Sequence, residues 1–128
     1  IRLSLVGSEM CIRDRLIMPL VGVQLRAAEQ IVIPFQLGQG QLLYEENCSS
    51  CHGIDLTGSN KGPPLLHSFY KPSHHGDKAF YRAALQGVRQ HHWEFGDMPP
   101  VEGMTQKKMD KVVPYVRYYQ QQKKLYQE

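Results

Sequence analysis

The sequence predicts a small all-α domain, three to four helices packed around one covalently attached cofactor. Three observations predict it. Cys48, Ser49, Ser50, Cys51 and His52 spell C-x-x-C-H. Apolar residues recur at helical spacing between turn formers, most clearly over Asp77–Arg89 and after Thr105. With 128 residues the chain makes one domain at most, and so small a core gains from an apolar plate for its helices to pack against.

The motif states what that plate is. Two thiols three positions apart can each add to one of the two vinyl groups on a haem edge, and the residue after the second thiol then lies under the iron. Cys48 and Cys51 are therefore the expected anchors of one haem c, and His52 its proximal ligand. The opposite face of an iron that cycles between ferrous and ferric needs a soft, neutral partner. Met98, 46 residues beyond His52, is the candidate, because Pro99 and Pro100 fix the backbone beside it. Met10 and Met18 precede the expected mature chain, Met104 lies just ahead of the last helix and Met109 on it. A thioredoxin-type pair would need a strand before the motif and a helix starting at its first cysteine. Here Gly40–Asn47 reads as a short helix ending at the motif. A zinc site would need a second cysteine pair or suitably spaced histidines.

In chain order, Leu5–Arg15 (LVGSEMCIRDR) resembles a read-through translation of a sequencing adapter, so residues 1–15 are set aside, Cys11 with them. Leu16–Leu25 is a mostly apolar stretch followed by Arg26, Ala27 and Ala28. It reads as the back half of a cleaved export signal, with a truncated membrane anchor as the alternative. Residues 29–37 are expected to lie across the surface as an extended arm. Gly40 and Tyr44 share one face of the first helix, one turn apart. Gly62, Pro63, Pro64 and Leu65 form a turn signal. Asp77–Arg89 is a helix whose end Gly87 marks, and His91–Pro100 is a turn-rich loop able to wrap the far face of the haem. The last helix begins at Thr105, whose hydroxyl can cap it, and runs to Tyr119. Inside it Pro114 removes the bond to the Asp110 carbonyl, at a cost of roughly 3 kcal/mol that a kink or packing must offset. Gln120 to Lys124 opens a polar tail, residues 121–128, expected to fray.

Residues 38–120 resemble a class I cytochrome c, the small helical carrier with His and Met ligation. Gly40 and Tyr44 precede the first haem cysteine by eight and four residues, matching the family's small and aromatic positions. Val112, Tyr115 and Val116 match those of its last helix. The resemblance implies that the two terminal helices cross at Gly40, that the Pro63 carbonyl accepts the second ring N–H of His52, and that Leu65 presses on the haem.

Formal charge is +3 overall, but four arginines against two acids in the first 28 residues leave about +1 for residues 29–128. Nucleic acid is not an expected partner, and strong electrostatic steering is not expected, though Lys61 and Lys71 offer a local patch. The expected partners are a redox-protein donor and acceptor docking briefly at an exposed haem edge. The thiols are ligated on the outer side of an energy-transducing membrane, which with the signal points to an exported, periplasmic protein, membrane-associated only through a redox complex or a lost anchor. The alternatives are a haem subunit held in a larger oxidoreductase and a haem enzyme with a labile sixth ligand. His67, His74, His75, His91 and His92 are numerous for so short a chain. His91, His92 and Trp93 could donate to the haem propionates or simply pack in their loop; a zinc or copper site from His67, His74 or His75 with His91 or His92 would need loops that sequence cannot place against one another.

Overall fold

A computed structural model describes residues 30–125. The adapter-like segment, the stretch expected to be an export signal, residue 29 and the last three residues lie outside the described residues. Four helices follow in order, α1 (Gly38–Asn47), α2 (Ser49–His52), α3 (Asp77–Gln86) and α4 (Gln106–Gln122), with single 3-10 turns at Phe35–Leu37 and Ser68–Tyr70. The fold is all-α; among the described residues the sole β-like pairing is one isolated bridge between Val88 and Met98.

The frame is the crossing of α1 and α4. A Cβ on Gly40 would lie 2.1 Å from the Lys111 carbonyl oxygen and 3.0 Å from the Tyr115 Cβ. Only a hydrogen fits there, so the backbones meet directly. One turn later Tyr44, wholly buried, packs against Tyr115 with ring centroids 5.5 Å apart. Val112, Val113, Val116 and Met109 of α4 join Leu56, Leu65 and Ala84 in the same core. Apolar positions three and four apart put these α4 residues on one inward stripe. Pro114 falls on the opposite, exposed side, where water can take the Asp110 carbonyl that proline leaves free. The helix runs on through it.

Thr105 caps α4 by accepting from the Lys108 N–H at 3.3 Å. α4 continues three residues past the expected end, to Gln122, because Gln120 does not belong to a fraying tail. Its side chain is fully buried, donates to the Leu65 carbonyl at 2.7 Å and accepts from Arg117 at 2.9 Å. The arm is also only partly extended: it coils into the turn at Phe35–Leu37, and the Tyr118 hydroxyl donates to the Val32 carbonyl at 3.0 Å.

Candidate functional site

The first helix does not simply stop at the cysteines. It breaks at Cys48 (φ −125°) and resumes for one turn as α2, with the Cys48 N–H still bonded to Tyr44 and the His52 N–H to Cys48. Ser49 closes the joint by donating its hydroxyl to the Glu45 carbonyl at 2.6 Å. Gly53 ends α2 at φ +79°, a backbone state that favours glycine. The Tyr44 hydroxyl then donates to the Gly53 carbonyl at 2.7 Å, which bolts the motif to the α1–α4 crossing.

Residues 54–66 fold back over the motif. Leu56 is fully buried with φ +62°, a costly conformation for a bulky side chain. Its carbonyl accepts from Leu65 and Leu66, which closes the loop. Ser59 donates to the Cys51 carbonyl at 2.7 Å, and a Cβ on Gly62 would stand 3.0 Å from both the Cβ and the carbonyl oxygen of Cys51. The Gly-Pro-Pro turn is thereby pressed onto Cys51. The next residue, Pro63, accepts from His52 Nδ1 at 2.9 Å, the bond that the family resemblance implies.

That bond sets the chemistry of the ring. With Nδ1–H donated to a carbonyl, Nε2 carries the lone pair and the imidazole is a stronger metal ligand. Burial pulls the His52 pKa below its ordinary value, and the Pro63 carbonyl opposes the shift. Cys48 and Cys51 are free thiols. Burial, followed by the neighbouring Cys51, pushes the Cys48 thiol up to about 11. A redox-active thiol is ordinarily shifted the other way.

All but one of the predicted site residues face one cavity of about 1140 Å³, counted out to its open mouth: Tyr44, Cys48, His52, Pro63, Leu65, Trp93 and Met98 line it. Cys51 is half-buried next to His52 but is not part of the lining. Sequence reasoning missed Tyr70, Phe80, Val101 and the inner face of α4 as walls of the same space. Helical spacing flagged Phe80 and α4 as apolar without saying against what, and Tyr70 lies in a turn with no periodic signal. Among the described residues, two methionines line the cavity. Met109 is a core residue of α4 at 3% exposure, whereas Met98 is half-buried on the loop.

Met98 is held more firmly than its prolines alone require. Its N–H donates to the Val88 carbonyl at 2.8 Å, and its carbonyl accepts from Val88 at 2.9 Å. Gly87, which ends α3 at φ +79°, leaves room for this, since a Cβ there would lie 2.7 Å from the Met98 oxygen. Bending the chain at Gly87 therefore stops the helix short of Arg89 and starts the clamp on Met98.

The residues present fit haem c. The wall is mainly apolar, a lone-pair nitrogen and a thiol stand on one side, and a thioether stands on a clamped loop. Trp93 supplies a further sign: its indole N–H is buried and, among the described residues, is the one buried side-chain polar atom without a hydrogen-bond partner. It lies close enough to the Tyr70 hydroxyl to oppose the upward shift that burial gives that phenol. Near as that phenol is, the indole N–H completes no hydrogen bond with it, and an acceptor brought by a ligand could take the donor. His91, by contrast, has a ring nitrogen committed to the Arg89 carbonyl at 2.8 Å.

No curated protein and no solved structure matches the chain significantly. The family model described as Cytochrome c matches residues 38–120, from the first residue of α1 to the buried Gln120. That span takes in the helix crossing, the C-x-x-C-H turn and the clamped methionine, and by it the chain belongs to the cytochrome c family, whose haem c serves electron transfer.

Proposed function

We propose that this protein is a single-electron carrier whose one haem c is held through Cys48 and Cys51, with His52 and Met98 as axial ligands. The observation that carries the reading is that His52, its tautomer set by Pro63, and the clamped Met98 line the same apolar cavity. When bound, haem supplies an iron that exchanges one electron between its ferrous and ferric states. His52 offers Nε2 and Met98 a thioether, and both come from backbone already pinned, so little rearrangement is required as charge changes. The apolar walls exclude water and, with the thioether, favour a high potential. Trp93 would hold an acceptor group at the cofactor's rim.

The protein is exported and meets its redox partners in the periplasm, through brief contacts around an exposed cofactor edge. Residues 16–28 and the chemistry of haem attachment support this, as does the near-neutral charge of residues 29–128. No helix among the described residues is long and apolar enough to cross a membrane. The test is to produce residues 29–128 in a host with haem-attachment machinery. Covalently held haem, a far-red band of thioether ligation in the ferric spectrum and reversible one-electron titration are expected. Pigment that extracts into acidified organic solvent would overturn the attachment, and rapid carbon monoxide binding at neutral pH the six-coordinate iron. A stable complex with substrate turnover would replace the free carrier by a bound subunit.

A further inference from the structure

Three imidazoles that take no part in the proposed iron ligation converge on one point. His74 and His75 end the segment after the Ser68–Tyr70 turn, and His92 is the second residue of the loop that carries Met98. One ring nitrogen from each lies within 4.8 Å of the other two, and Nε2 of His74 stands 3.2 Å from Nε2 of His92. Zinc–nitrogen bonds of 2.0–2.1 Å in a tetrahedron put neighbouring ligand atoms about 3.3 Å apart. The His74–His92 pair already has the length of one tetrahedral edge, and a nitrogen of His75 lies within 4.8 Å of both.

The surroundings brace these rings. His75 donates Nδ1–H to the Phe69 carbonyl, which leaves Nε2 as the bare nitrogen, the way metal-bound imidazoles are usually oriented. Its backbone is fixed from α4, where Arg117 donates at 2.6 Å to the carbonyls of both His75 and Tyr70 and pairs with Asp77 at 2.7 Å. The His92 ring stacks on Phe69, centroids 4.2 Å apart and planes 20° from parallel. One short segment thus orders ligands from two loops. His74 is exposed, while His75 and His92 are half-buried and also line the cavity, so the group stands between cavity and solvent.

We propose that His74, His75 and His92 form a second metal site, binding one divalent transition ion of the zinc or copper class with a fourth position open to water. All three ligands are imidazoles, a donor set that suits these ions and not the oxygen-seeking magnesium or calcium. The site does not depend on the electron-carrier reading, and it joins the Met98 loop to the segment held by Arg117.

The experiment is a Zn²⁺ titration of the tag-free haem protein against a chromophoric chelator, with zinc and iron counted by elemental analysis. One zinc per iron is expected. His74→Gln and His92→Gln should each weaken binding at least tenfold with the haem spectrum unchanged, whereas His67→Gln, whose ring accepts from the Phe69 N–H, should bind as the parent does. Equal zinc affinity in parent, His74→Gln and His92→Gln would overturn the site. Haem bands that shift in His92→Gln would also overturn it, by giving that imidazole to the iron. Zinc held by these histidines in a protein without haem would support the site and sink only the electron-carrier reading.

Discussion

The two sides of the cavity are built differently. On the motif side, residues 48–66 are tied together by bonds that cross the turn, Tyr44 on Gly53, Ser59 on Cys51, Pro63 on His52, Leu65 and Leu66 on Leu56, although Ile54, Asp55 and Ser59 to Lys61 are exposed. On the methionine side, residues 88–101 are held by the bridge at Val88 and Met98, by the Val101 bond to Ala84, and by Asp97 and Gln90 reaching across the loop. That side keeps an unpartnered buried donor, Trp93, and four exposed residues in succession, Glu94 to Asp97. The lesson is a division of labour. The chain shapes the attachment side for itself and leaves the far side to be completed by what it binds.

Substitutions that put volume into the closed side should do the most damage. Gly40→Val would drive a side chain into the Lys111 carbonyl, where even its Cβ would lie at 2.1 Å. Neither backbone can yield without parting the helices, so the cost is expected to reach about 3 kcal/mol or more, a large share of a small domain's stability. Thermal unfolding of the haem protein should show a fall of many degrees or no folded product. Gly96→Ala is the matching change on the open side. Gly96 has φ +88° but nothing within 4 Å of its Cβ position, so only the left-handed backbone penalty of about 1–2 kcal/mol applies. Equal losses from the two substitutions would erase the contrast.

Met98→Ala separates the sides in another way. The clamp on its backbone survives, so the helices should stay intact by circular dichroism. The far-red ferric band should vanish and the midpoint potential should fall markedly, since the thioether favours ferrous iron. An unchanged spectrum would pass the sixth position to another group and break the assignment of the open side.

Tyr44→Phe tests how much of the closed side hangs on one bond. The substitution keeps the ring contact with Tyr115 but leaves the Gly53 carbonyl without its donor at 2.7 Å. Gly53 is half-buried, so water can partly replace the lost donor, and denaturant unfolding should show a loss of about 1 kcal/mol, the net worth of an ordinary hydrogen bond.

These contrasts also explain what could be read in advance. The C-x-x-C-H pentad, the helix read over Asp77–Arg89 with Gly87 marking its end, and the Thr105 cap are local or periodic signals, so they were legible; the glycine at the helix crossing was legible only through the family resemblance. The strained Leu56, the buried Gln120 and the clamp between Val88 and Met98 were not. Each depends on a partner outside the reach of a helical or strand period: Leu56 on Leu65 across a loop, Gln120 on Leu65 far along the chain, Met98 on a strand-like pairing that covers a single residue pair. Gln120 was hidden further by its company, because a run of glutamines and lysines reads as solvated. Nothing in the composition shows that its first member turns inward. The histidines were legible as a surplus and illegible as a group, since His74 and His92 come from separate loops.

Trp93→Phe should have the smallest effect on folding and is the finest probe of the open side. Phenylalanine keeps an aromatic ring in the wall and removes the one buried donor that has no partner. If that donor served no ligand, its loss would relieve an unmet desolvation cost and stability would rise slightly. If it holds an acceptor on the haem, the substitution should lower the thermal stability of the haem protein by about 1 kcal/mol, the worth of an ordinary hydrogen bond and more if the acceptor is charged. The midpoint potential should then fall, because a donor beside a carboxylate partly offsets negative charge that otherwise favours ferric iron. A gain in stability with no change in potential would mean that the open side is finished by packing alone.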